Sequence, residues 1–97
     1  MTKNKIIVID NKDNVATALE PLPNGSEITV EIQGTMEKIK LLSDIPQGHK
    51  LALRDIEKGD SVIKYGEPIG QSLKSISRGE HVHVHNVASK PLLRGKR

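Results

Sequence analysis

The stretch Glu27-Ile28-Thr29-Val30-Glu31-Ile32-Gln33-Gly34-Thr35-Met36 alternates polar and apolar side chains from Glu27 to Ile32 and then meets a Gln-Gly pair. Period two puts Ile28, Val30 and Ile32 on one face of an extended strand and Thr29 and Glu31 on the other. A glycine after such a run suits the positive φ of a hairpin turn, so Gln33-Gly34-Thr35 is predicted to join Ile32 to a second strand from Met36.

Moving outward, one short pattern, apolar-x-x-Gly-polar, recurs along the chain, and four of its copies introduce an apolar-rich segment: Leu22 to Ser26, Ile45 to His49, Ile56 to Asp60 and Ile76 to Glu80. Each reads as a buried anchor, a tight turn and the start of a strand. The strands so opened are Glu27 to Ile32, Lys50 to Leu53, Ser61 to Tyr65 and His81 to Val87, with Ile6 to Ile9, Val15 to Leu19, Glu37 to Leu42 and Pro68 to Ser72 added on weaker patterning. Glycine or proline interrupts nearly every window after Leu19, so no helix of three turns fits, and Leu51 to Ile56 has room for one helical turn at most. The predicted fold is mainly β, a compact barrel or rolled sheet, with the chain from Ser89 onward loose or docked on a partner.

The chain has 97 residues, no cysteine, tryptophan or phenylalanine, and one tyrosine, Tyr65. That is one small domain with an aliphatic core. Its 35% apolar share rises toward the usual range once the eight glycines are counted, which speaks against disorder. Without cysteine there is no disulfide scaffold, zinc-thiolate finger or thiol nucleophile, and any metal must be held by histidine or oxygen. The run Ile6 to Ile9 is far too short for a signal peptide or a membrane span, so a cytoplasmic address is expected. Lys90, Arg94, Lys96 and Arg97 carry the net charge of +3; without them eleven basic residues face twelve acidic ones. A neutral body with one aromatic ring does not describe a nucleic-acid-binding face.

In His81-Val82-His83-Val84-His85 a continuous strand would turn all three imidazoles to one face and both valines to the core. Two imidazoles at that spacing chelate a divalent ion when a further ligand comes from elsewhere, so His81, His83 and His85 are the candidate metal ligands, against the plainer reading of a polar strand face. His49-Lys50, Lys64-Tyr65 and Asp13-Asn14 stand at strand ends, where sites are commonly built, although solvated surface is the plainer reading of each. A phosphate loop, a serine-hydrolase elbow and a His-Glu-x-x-His motif are all missing from the sequence.

Four strings taken in order, Asp13-Asn14-Val15-Ala16, Ile45-Pro46-x-Gly48-His49-Lys50-x-Ala52-Leu53-x-Asp55-Ile56, Val62-Ile63-Lys64-Tyr65-Gly66-x-Pro68-Ile69-Gly70 and Gly79 to Asn86, resemble the N-terminal domain of the altronate and galactarate dehydratase family. The resemblance implies a SAF domain of β-clip fold over residues 1–88, with 89–97 as a basic tail. In that family a much larger catalytic portion follows, so it also implies either a separately encoded small subunit that works with a large catalytic dehydratase subunit or an excised fragment of such an enzyme. The small subunit of sulfolactate sulfo-lyase is similar. Both reactions take a proton from a 2-hydroxy acid and expel water or sulfite from the next carbon, leaving a 2-keto acid. The resemblance implies a sugar-acid substrate, Fe²⁺ or else Mn²⁺, catalytic roles for His49 and His83, and substrate contacts from Asn14, Lys50, Lys64 and Tyr65. The competing implication is a non-catalytic SAF module that binds carbohydrate or protein.

Overall fold

Left-handed glycine turns divide this chain into strands. In the computed structural model, which describes residues 6–7 and 12–89, Gly25, Gly48, Gly59 and Gly79 all have φ between 85° and 91°. The apolar anchors before them, Leu22, Ile45, Ile56 and Ile76, are buried as the pattern predicted. Between the turns run β1 (Ile6–Ile7), β2 (Val15–Ala18), β3 (Glu27–Ile32), β4 (Thr35–Lys40), β5 (Lys50–Ala52), β6 (Ser61–Lys64), β7 (Glu67–Ser72), β8 (His81–Val82) and β9 (Val87–Ser89). They form a four-stranded sheet in the order β1-β2-β5-β8, the hairpin β3-β4, and a three-stranded sheet β6-β7-β9, with every pairing antiparallel. The fold is mainly β; the described residues include no helix, and so none long and apolar enough to cross a membrane. Leu51 to Ile56, which had room for one helical turn at most, is strand and bend, because β5 is held between β2 and β8.

Two hairpins turn on pairs of left-handed residues, the first of them tighter than the sequence suggested. Ile32 pairs with Thr35, so the first turn is Gln33-Gly34 alone, both in the left-handed region at φ 52° and 82°. Tyr65-Gly66 joins β6 to β7 in the same way, at φ 58° and 74°. Two consecutive left-handed residues give the reversal whose twist matches that of the flanking strands. Of the expected N-terminal strand, Val8 and Ile9 lie outside the described residues, as does the tail from Lys90; Ser89 ends β9, paired with Gly70.

The chain is built twice over. Gly25 donates to Leu41 and Gly48 to Ala18, and correspondingly Gly59 donates to Ser72 and Gly79 to Ala52. The Leu22–Ile45 bridge of the first half recurs as Ile56–Ile76 in the second. Each half owns a core: Ile28, Val30, Ile32, Ile39, Leu41 and Leu51 belong to one, and Val15, Ala52, Ile56, Val62, Ile76 and Val82 to the other. Along β2, Val15 enters the second core and its neighbour Ala16 the first. The four-stranded sheet is thus buried on both faces, with the β3-β4 hairpin over one and β6-β7-β9 over the other.

One expectation fails where it matters for function. The run His81 to Val87 is not one strand: β8 stops at Val82, a turn takes His83 to Asn86, and β9 starts at Val87. Val84, expected in the core, is 77% exposed, and His83 and His85 do not continue a flat strand face. The side chain of Asn86 occupies the His81 carbonyl and the His83 N–H, groups that a neighbouring strand would have taken.

Candidate functional site

His49 directly precedes β5, and β5 pairs with β8 so that Leu51 stands opposite His81. His49 and His81 therefore extend from the same face of the sheet, while Lys50 and Val82, the adjacent pair, face the other way. The backbone of His49 is held at both ends: its N–H donates to Pro46 at 3.0 Å, and its carbonyl accepts from Ala18 at 2.8 Å. The turn after Val82 then brings His83 back over His49, with ring centroids 4.2 Å apart and planes 17° from parallel.

The result is one cluster of stacked imidazoles. His49 Nδ1 and His81 Nε2 are 2.9 Å apart, one donating to the other. Ligand nitrogens of His49, His81 and His83 all lie within 4.8 Å of one another. Two imidazole nitrogens bound at the usual 2.0–2.1 Å on neighbouring positions of one ion stand about 3 Å apart, so the His49–His81 spacing fits a shared ion. Burial lowers the His81 pKa from its ordinary value, and the nearby charges of His85, His49 and His83 lower it further. That favours neutral imidazole, the form that binds metal. An all-imidazole donor set suits Fe²⁺ and equally Zn²⁺, whereas Mn²⁺ prefers oxygen donors. His85 is exposed and stacks obliquely on His81 at 5.2 Å, outside the converging set.

A cleft of about 160 Å³ opens beside His83, on the side of the sheet that carries Lys50 and Val82. Lys50, Ser89 and His83 give it polar edges, and Val62, Ile69 and Val87 are apolar lining. The other residues singled out in the sequence are distributed differently. Asn14 spends its amide on the β6 backbone, donating to Ser61 at 3.0 Å and accepting from Ile63 at 2.7 Å. Lys64 is only 8% exposed, with its ammonium 3.6 Å from the centroid of the Tyr65 ring, and Tyr65 is 60% exposed at the tip of its turn. Beneath that turn Asp13, 2% exposed, accepts from the Gly66 N–H at 2.8 Å. Two residues matter more than the sequence reading allowed, Asp13 for the Tyr65 turn and Asn86 for the histidine turn. An asparagine with no glycine or proline near it, just where a strand pattern is to continue, was the available signal for the second.

The family model for the altronate/galactarate dehydratase SAF domain matches residues 4–90. The chain is similar to altronate dehydratase of Escherichia coli (strain K12), 50% identical over 80 residues that make up 82% of this chain and 15% of that protein. Altronate dehydratase of Bacillus subtilis (strain 168) is 44% identical over 80 residues, with the same 82% and 15% coverage. The (2R)-sulfolactate sulfo-lyase subunit alpha of Chromohalobacter salexigens is 59% identical over 46 residues, 47% of this chain and 49% of that one. The chain thus spans about 15% of the length of the dehydratases it matches. With a mainly β fold, four glycine turns in register and a family match over nearly its whole length, this chain belongs to the altronate/galactarate dehydratase SAF domain family.

Proposed function

We propose that this chain serves, in the cytoplasm, as the small-subunit part of a sugar-acid dehydratase, joined by a large catalytic subunit that covers its histidine face. The convergence of His49, His81 and His83, the last of which also edges the Lys50 cleft on the other face of the sheet, is the observation that carries the reading. Those three histidines would hold a divalent ion, Fe²⁺ ahead of Mn²⁺. Bound there, it supplies positive charge against the enolate that develops when a proton leaves the carbon beside the substrate carboxylate. Lys50 binds the carboxylate at the edge of the cleft, and the valine and isoleucine lining excludes water from it. Lys64 and Tyr65 take hydroxyl groups of the substrate, and Asn14 acts through the β6 backbone it secures. A nitrogen that gives its lone pair to an ion cannot also accept a proton. His49 and His83 therefore act as ligands, and the proton acceptor belongs to the catalytic subunit.

A second reading, release of sulfite from sulfolactate, draws on the 59% identity to the sulfo-lyase subunit alpha. It needs the same proton removal and a different leaving group. One experiment addresses both: the chain is co-expressed with a large dehydratase subunit, and the complex is assayed for 2-keto acid from altronate and galactarate and for sulfite from sulfolactate. Dehydration that is lost on chelation, restored by Fe²⁺ or Mn²⁺ and at least about a hundredfold lower in His83→Ala is the expected outcome. The variant should melt with the wild type, since His83 is exposed. Full activity after chelation, or in His83→Ala, would overturn the assignment.

A further inference from the structure

Both ends of the Asn86 amide bind the backbone of the histidine segment. Nδ2 donates to the His81 carbonyl at 2.8 Å, and Oδ1 accepts from the His83 N–H at 3.0 Å. The residue is 0% exposed, and its main chain is held as well, donating to the His83 carbonyl at 3.1 Å and accepting from Leu73 at 2.8 Å.

In a regular strand, residues two apart on one face stand about 7 Å from each other and present their backbone groups to a neighbouring strand. Here β8 ends at Val82 and the amide of Asn86 stands where that neighbour would be. The chain can then curl, and the His81 and His83 rings come to 5.6 Å between centroids and 10° between planes. The same curl brings His83 onto His49. An asparagine is needed because one group must donate and the other accept across a fixed planar gap. Aspartate would set an oxygen against the His81 carbonyl, and serine is too short to reach both.

We propose that Asn86 is a positioning residue that converts a His-x-His strand spacing into a convergent set with His49, acting through the backbone and touching neither substrate nor ion. Its relevance to metal binding rests on the function proposed above, while its control of imidazole geometry does not.

The test uses the full chain labelled with ¹⁵N, in the wild type, in Asn86→Asp, in Asn86→Ser and in Ile28→Val, a distant change in the other core. Two readouts are taken: the nitrogen–nitrogen coupling through the His49–His81 hydrogen bond, and the affinity for Co²⁺ followed by its visible spectrum. Loss of the coupling in the Asn86 variants, with Co²⁺ affinity lower by about ten- to a hundredfold and both readouts kept in Ile28→Val, is the expected result. Rescue of neither readout is expected from Asn86→Asp, although it is the closest isostere. Coupling retained in the folded Asn86 variants, coupling absent from the wild type, or failure of both Asn86 variants to fold overturns the proposal. Should the wild type bind no Co²⁺, the metal reading falls, and the coupling still decides the role of Asn86.

Discussion

Folding disfavours charging His81, first because it is partly buried and then because His85, His49 and His83 crowd it. Its folded pKa lies below the ordinary value of about 6.5, so over the interval between the two the unfolded chain binds more protons than the folded one. The stability this contributes is complete above about pH 6.5 and is lost as pH falls toward the lower folded pKa. The melting temperature is therefore expected to drop on acidification from about pH 7 to pH 5, and His81→Asn to flatten that drop. An acid limb of unchanged slope in the variant would place the sensitivity in other groups. Val84 shows the opposite case at the same scale: an apolar residue 77% exposed beside the cluster, which no local pattern explains.

At the scale of elements, the four glycine turns look alike in sequence and differ in their surroundings. Gly25 and Gly79 both sit in the left-handed region, at φ 88° and 89°. A Cβ on Gly25 meets nothing within 4 Å, whereas one on Gly79 collides with the Lys40 carbonyl, which is backbone and cannot rotate away. Gly25→Ala should then cost about 1–2 kcal/mol, the strain of left-handed backbone alone. Gly79→Ala adds a steric clash between the halves of the molecule and should cost roughly twice as much or more, read as a lower denaturant midpoint. Equal losses would mean that the second turn relaxes without resistance. Gly79 also accepts from Leu42 through its carbonyl, tying the last turn of the second half to the end of the β3-β4 hairpin.

For the whole molecule the question is what joins two half-cores. Glu37 and Arg78 form an ion pair across the halves at 2.6 Å, with side chains 35% and 37% exposed. At that exposure the pair contributes at most about 1 kcal/mol. The central sheet is the stronger tie, because β2 and β5 send alternate side chains into both cores. Leu41→Ala in the first core and Val62→Ala in the second should each lower stability by about 2–4 kcal/mol. Both residues are 0% exposed, and each variant should still unfold in one transition by calorimetry and by circular dichroism. A second transition in either would show that the halves fold independently.

The amino-acid sequence by itself determined most of the strands and the glycine breaks between them, because both are local. Alternation in Ile28 to Ile32 needs only the two-residue period of an extended chain, and the turns at Gly25, Gly48, Gly59 and Gly79 need only the freedom of a residue without Cβ. The dehydratase-family strings were legible for the same reason, as short contiguous words. Which histidines converge was decided by tertiary structure. His49 stands 32 residues before His81 and reaches it because β5 and β8 are neighbours in the sheet, a long-range pairing that spacing along the chain does not encode. The exclusion of His85 and the exposure of Val84 likewise follow from where β8 stops. That point is set by a buried amide closing hydrogen bonds on His81 and His83, a geometry that exists only once the second core has formed around it.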